Sequence, residues 1–271
     1  MCDVLVVIAH PDDEIFASGT ICLCAESGFR IALACVTNGG GGGKSILHKA
    51  SGLSLAEIRT RELALSAAAL GIHEVKSYGF PDIGDPSTGR DAWNQAELID
   101  MLSDQIKHIG PELILTHGPA GGYGHPAHKL TFLAVNAAAQ QSSYAGSIFS
   151  FCARPPQPFF SWHFDQRANV VIDARRFCER RAASLGYHQS QIDYFLQPYF
   201  PQSLRKYLSA FCGYLLGWTE FGRKRIPIGT PIRFFSKFPL EGLALQFTAR
   251  TGEPHFFAKH YVDRDDVQID K

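Results

Sequence analysis

Five apolar residues, Val4-Leu5-Val6-Val7-Ile8, run without a spacer into Ala9-His10-Pro11-Asp12-Asp13-Glu14. The apolar run is too short for a helix and rich in β-branched residues, so it predicts a buried strand. A His, two Asp and a Glu at the end of a buried strand are costly there unless they are paired or bound to a metal. Histidine nitrogen and carboxylate oxygen are both good ligands for Zn2+, which in catalytic sites takes three protein groups and keeps a fourth position open. His10 and Asp13, three apart across a turn begun by Pro11, can converge on one ion. The same residues also suit a helix start, with Asp12 as N-cap and Glu14 as an acid in the first turn.

Strands and helices alternate from there. A helix is expected over 14–27, ending at Gly28, then a second buried strand over 30–37. Ser54 and Glu57 have the spacing of a capping box, opening a helix that stops at Gly71. A strand over 75–80, a helix over 91–109, a strand over 112–116 and a helix over 126–141 follow. Such βαβ units imply an α/β fold: a Rossmann-like, mostly parallel sheet with helices on both faces. Ligands of such sheets bind beyond the carboxyl ends of the strands. His10 and the loop after Thr116 both fall at that edge.

That loop is the second polar constellation, His117-Gly118-Pro119-Ala120-Gly121-Gly122-Tyr123-Gly124-His125-Pro126-Ala127-His128. Its glycines let backbone approach a ligand closely, and Pro126 suits the first turn of the next helix. Of His125 and His128, one can complete a metal site while the other faces the reacting group. The run Asn38 to Ser45 (NGGGGGKS) has Asn38 where a phosphate-binding loop needs its first glycine, so it predicts a loop bordering the site.

Composition narrows the class. Lys plus Arg and Asp plus Glu are 26 each, which argues against nucleic acid as a partner. No stretch reaches about 18 apolar residues, so no spanning helix is expected. The segment before Ala9 has neither the basic nor the apolar region of a secretory signal. Seven cysteines, an odd number with no C-x-x-C pair, fit reduced thiols and a cytoplasmic location. Cys22 and Cys24 belong in the core.

Beyond residue 145 the pattern loosens. Strands are expected over 148–152 and 169–172 and a helix over 174–195. The aromatic segment 199–218 suits a lid, a partner surface, a membrane-surface helix or an added core helix. One domain over 1–271 is expected, with 196–245 as a lid or insertion.

AHPDDE at 9–14 together with GGYGHPAH at 121–128 resembles the LmbE/PIG-L zinc-dependent N-deacetylases, which act on N-acetylglucosaminyl compounds. Supporting matches are Thr37-Asn38-Gly39, Arg59-Thr60-Arg61-Glu62, Phe80-Pro81-Asp82, His188-Gln189-Ser190-Gln191 and Glu253 with Phe256-Phe257. The resemblance implies one zinc ion per chain on His10, Asp13 and His128. It makes Asp12 the general base, gives Tyr123 and His125 to the oxyanion, and Arg59 and Asp82 to the sugar. The chemistry agrees, with His125 as an imidazolium able to stabilise the tetrahedral oxygen. The family's usual Asp between Pro126 and His128 is replaced by Ala127, so a carboxylate from elsewhere, Asp165 or Asp173, is a candidate substitute. The implied substrate is a small amino-sugar conjugate from which acetate is released. The alternatives are an amidase cutting a larger acyl group, and a non-catalytic sugar- or nucleotide-binding protein.

Overall fold

The computed structural model describes residues 3–42, 52–82, 93–153, 166–191, 240–248, 255–261 and 265–269. The segments expected at 199–218 and 43–45 lie outside them, as does Asp165.

Strand β1 (Val4–Ile8) is buried along its whole length, as its apolar run requires. A 3-10 turn over Asp13–Ala17 leads into helix α1 (Ser18–Glu26) and strand β2 (Ile31–Thr37). Helix α2 (Leu55–Leu70) opens on the expected capping box, Ser54 with Glu57, and ends at Gly71, whose φ of 82° suits a residue without Cβ. Strand β3 (Glu74–Phe80) is mostly exposed, as befits an edge. Helix α3 (Gln95–Ile109) is capped by Asn94, four residues inside the expected start. Strand β4 (Leu113–Thr116), helix α4 (Pro126–Gln141) and strand β5 (Ser147–Ser150) complete the regular part. Strand β6 (Val170–Asp173) and a 3-10 turn precede helix α5 (Cys178–Tyr187). Strand β7 (Leu240–Thr248), helix α6 (Phe256–Tyr261) and strand β8 (Val267–Ile269) follow.

The strands form one sheet in the order β3-β2-β1-β4-β5-β7-β6-β8. Pairing is parallel from β3 through β5. It is antiparallel where β7, β6 and β8 extend the sheet. Alternation along β1 feeds two cores. Val4, Val6 and Ile8 pack with residues of α1 and α2, whereas Leu5, Val7 and Ala9 pack with α3 and α4. Helix α5 packs on α2. The chain leaves β1 towards β2 and β3, then returns to add β4 on β1's other side. Direction reverses between β1 and β4, and an open α/β sheet leaves a crevice at that point, beyond the strand ends.

Two expected helices are shorter than their periodicity. The first opens as a 3-10 turn over Asp13–Ala17, and the α-helix starts only after Ala17, whose φ of −116° and ψ of 16° lie outside the helical region. The one expected over 174–195 stops at Tyr187, where His188 turns into the interior. Cys22 and Cys24 are core, as expected. Among the described residues no helix is long and apolar enough to cross a membrane.

Leu33, in the middle of β2, is fully buried. Leu33→Ala is expected to cost about 2–5 kcal/mol of unfolding free energy with an unchanged denaturant slope. Equilibrium urea unfolding checks this.

Candidate metal centre and active site

The crevice between β1 and β4 is lined first by the turn at Pro11. Asp12 there has φ 120° and ψ −14°, outside the regions open to residues with a Cβ. Holding such a residue costs on the order of 1–3 kcal/mol. The conformation sends two consecutive carboxylates to different partners. Asp13 turns to the histidines: Oδ2 lies 3.3 Å from His10 Nδ1 and 3.4 Å from His117 Nε2, and Oδ1 lies 3.2 Å from His128 Nε2. Asp12 turns to Arg59, with Oδ2 at 3.1 Å from Nη2. Burial raises the Asp12 carboxyl to about 6, against the opposing pull of Arg59. Burial also works to raise Asp13, but His128 and His117 outweigh it and hold it well below the usual carboxylate range.

The glycine-rich loop after β4 brings three more imidazoles. His117 Nε2 accepts the Ala9 N–H at 3.0 Å, which ties the two strand ends together and occupies that nitrogen. Burial and then His128 push its pKa down to about 3. His128 stacks on it with ring centroids 3.9 Å apart. The His128 Nδ1 faces the Gly121 carbonyl at 3.2 Å, so its hydrogen is on that side and Nε2 is left as a lone-pair donor. The Nε2 atoms of His10 and His128 are both buried without a hydrogen-bond partner. Two buried imidazole nitrogens without hydrogen bonds, beside an anionic carboxylate, fit a divalent ion. Among the described residues, donor atoms gather within 4.8 Å of one another in two groups, His10 with His125 and His128, and Asp13 with His117 and His128. The sequence-predicted ligands His10, Asp13 and His128 thus lie together, joined through the two Asp13 oxygens.

His125 stands at the N-cap of α4, and its Nδ1 accepts the Ala127 N–H at 3.2 Å. Burial, then His10 and His128, lower its pKa to about 4. The ring is therefore held neutral with its hydrogen on Nε2, not as the imidazolium expected from sequence. Ala127 is packed in the apolar core where the family's Asp is expected. Asp173, a candidate substitute, is engaged by Arg175 at the end of β6. Tyr123 lies over His125 and His128, with ring centroids at 5.7 and 5.3 Å, and is 59% exposed. Burial of its hydroxyl end raises its pKa, which keeps it a donor.

Arg59 and Asp82 close the other side. Arg59 is buried, donating from Nη1 to Gly39 O at 2.8 Å and from Nη2 to Pro11 O at 2.6 Å. Gly39 has no room for a Cβ, which would meet the guanidinium at 2.9 Å. Asp82 places Oδ1 3.3 Å from His10 Nε2 and Oδ2 3.9 Å from Arg59 Nη1. Both residues reach the site, but Arg59 spends its hydrogens on the chain around Asp12 more than on open space.

Sequence reasoning passed over one buried cluster. Glu14, Ser66, Ser184 and His188 meet under the Pro11 turn, each fully buried. The signal was there: Glu14 follows the metal motif, and His188 opens the His-x-Ser-Gln match. A shallow depression open to solvent adjoins His128 and Tyr123 and is bordered by Phe16, Phe151 and Cys152.

Fold and site together define an α/β protein with a histidine–aspartate metal cleft at its topological switch point. Residues 5–139 match the PIG-L family, described as GlcNAc-PI de-N-acetylase. The 1D-myo-inositol 2-acetamido-2-deoxy-alpha-D-glucopyranoside deacetylase of Acidothermus cellulolyticus is 30% identical over 230 residues, covering 69% of this chain and 79% of the relative. The chain belongs to this family. Among solved structures, the N,N'-diacetylchitobiose deacetylase from Pyrococcus horikoshii superposes with a TM-score of 0.59 at 20% identity, over 95% of this chain and 88% of that one. GalB, the 4-carboxy-2-hydroxymuconate hydratase from Pseudomonas putida, superposes with 0.58 at 20% identity, over 94% and 99%. One fold thus carries different reactions, and function has to be argued from the site.

Elemental analysis is expected to find about one divalent ion per chain, the stoichiometry of a single three-ligand site. His128→Ala should lose it. His117→Gln, whose amide oxygen can still accept from the Ala9 N–H, should keep it. Loss in His117→Gln with retention in His128→Ala would exchange their roles.

Proposed function

We propose that the chain is a metal-dependent N-deacetylase. It removes the acetyl group from an N-acetylglucosamine-type amino sugar carried on a larger conjugate, releasing acetate and a free amine. Its similarity to the inositol-linked deacetylase of Acidothermus cellulolyticus supports the substrate class. The observation that carries the reaction is the divergence of the two neighbouring aspartates, one among imidazoles and one held apart by Arg59.

His10, Asp13 and His128 would hold the ion, and a set of two nitrogens and one carboxylate suits Zn2+. When bound there, a divalent ion would supply Lewis-acid polarisation of the amide carbonyl and a lowered pKa for the attacking water. Asp12, buried and with its carboxyl near 6, takes the proton of the attacking water. As the water oxygen bonds to the carbonyl carbon, negative charge grows on the former carbonyl oxygen. The His125 Nε2–H and the Tyr123 hydroxyl are the donors available for it. The carbon–nitrogen bond then breaks, and the proton collected by Asp12 is carried to the leaving amine. Arg59 holds Asp12 in place, and Asp82 stands on the side where the sugar would lie.

Asp12→Asn is expected to keep the metal and the fold while acetate release from N-acetylglucosaminides falls about 10²–10⁴-fold. Metal content and acetate are measured on the same preparation. An emptied metal site would make Asp12 a ligand. No acetate from the parent enzyme with any N-acetylglucosaminyl conjugate would overturn the proposed reaction.

A further inference from the structure

Under the Pro11 turn lies the buried polar cluster that the reaction as described leaves unused. Glu14 Oε1 receives the Ser66 hydroxyl and faces His188 Nε2, both at 2.5 Å. Ser184 lies 2.6 Å from Ser66. The other oxygen, Oε2, accepts the backbone N–H of Asp12 at 3.1 Å. Four fully buried polar side chains are costly to assemble; here Glu14 Oε1, Ser66 and Ser184 are bonded to one another and to His188 Nε2, while His188 Nδ1 has no hydrogen-bond partner among the described residues.

The Pro11–Asp12 peptide is gripped at both ends. Its N–H is held by Glu14. Its carbonyl, on Pro11, accepts from Arg59 Nη2. That peptide is the one whose orientation sets φ of Asp12 at 120°. Flipping it by about 180° would bring φ to about −60°, an ordinary value for a residue with a Cβ. The relaxed orientation breaks both grips, and with the Pro11 carbonyl turned away the Arg59 Nη2 that pairs with the Asp12 carboxylate loses its backbone anchor. Helix-to-helix cohesion alone does not call for Glu14, because the Ser66–Ser184 contact already bridges α2 and α5.

We propose that Glu14 and His188 are positioning residues: anchored by Ser66 and His188, the Glu14 carboxylate locks the Pro11–Asp12 peptide so that the Asp12 carboxylate stays aimed into the site. The catalytic consequence rests on Asp12 being the base, whereas the lock itself does not.

The test compares His188→Leu, which removes the anchoring donor, with His188→Gln, whose amide can still donate to Glu14. Three quantities are read: the hydrogen-exchange rate of the Asp12 amide by NMR, kcat and KM for acetate release, and bound metal. In His188→Leu, Asp12 amide exchange should accelerate and kcat fall about 10–10²-fold, the scale of a misplaced catalytic group, with KM and metal within about twofold. His188→Gln should recover most of both. Combined with Asp12→Asn, His188→Leu should cost no further activity, since residues acting through one another are non-additive. Ser66→Ala removes one hydroxyl from inside a helix and keeps the test alive if His188→Leu does not fold; it should shift exchange and kcat in the same direction by less. An unchanged Asp12 amide in these variants overturns the lock. A loss of activity that adds fully to that of Asp12→Asn overturns the action through Asp12. A parent enzyme without deacetylase activity would refute the proposed reaction, while amide exchange would still decide the lock.

Discussion

The Asp13 carboxylate is the interaction on which the site depends. It touches His10, His117 and His128, which come from the ends of two different strands and the start of a helix. Its Oδ2 also accepts the His10 N–H at 2.7 Å, which fixes the turn leading out of β1. Imidazoles packed this closely would repel one another if protonated, and one anion among them makes the cluster tenable. The same anion is what a divalent ion would meet between the two nitrogens that lack hydrogen bonds. Structural cement and metal chemistry thus draw on one group.

Topology explains why that group lies where it does. Parallel strands with helices on both faces leave their carboxyl ends open only where the direction of winding reverses. Here that is between β1 and β4, and the Ala9 N–H to His117 bond spans it. Arg59 reaches the crevice from α2 on one side, while His125 and His128 reach it from the start of α4 on the other. The two flanks differ in polarity: Arg59, Asp82 and Gly39 on the first, Phe16, Phe151 and Cys152 on the second.

The parts legible in the sequence were those set by local rules. Val4–Ile8 could only be a buried strand, Ser54 with Glu57 announced a helix start, and Gly71 its end. The site motifs stood out because charged residues at buried strand ends need partners. What stayed hidden depended on contacts distant in sequence or on one backbone angle. The late strands β6, β7 and β8 join the sheet antiparallel, and nothing in their short apolar runs encodes direction. The break before α1 falls at Ala17, in an apolar run whose composition does not mark it. Arg59 could be recognised as a site residue, but its bonds to Gly39 and Pro11 could not. His188 lies 174 residues from Glu14, so their pairing had no local signature.

Ala127 removes the carboxylate that the family pattern would set two residues from His125. A carboxylate near an imidazole favours the charged form, so the usual Asp would bias His125 towards an imidazolium. The His125 ring turns its Nδ1 to the backbone N–H of residue 127 and caps α4. That bond satisfies one of the free N–H groups of the first turn, and it leaves a single tautomer, with hydrogen on Nε2. The positive end of the helix dipole, at the same place, further disfavours a second proton. A neutral Nε2–H can still donate to a developing oxyanion, but it has no extra proton to give to the leaving amine. On the proposed mechanism the proton that Asp12 takes from the water is then the one available to the leaving amine. That proposal puts weight on the geometry of one carboxylate, next to which both ends of the Pro11–Asp12 peptide are hydrogen-bonded.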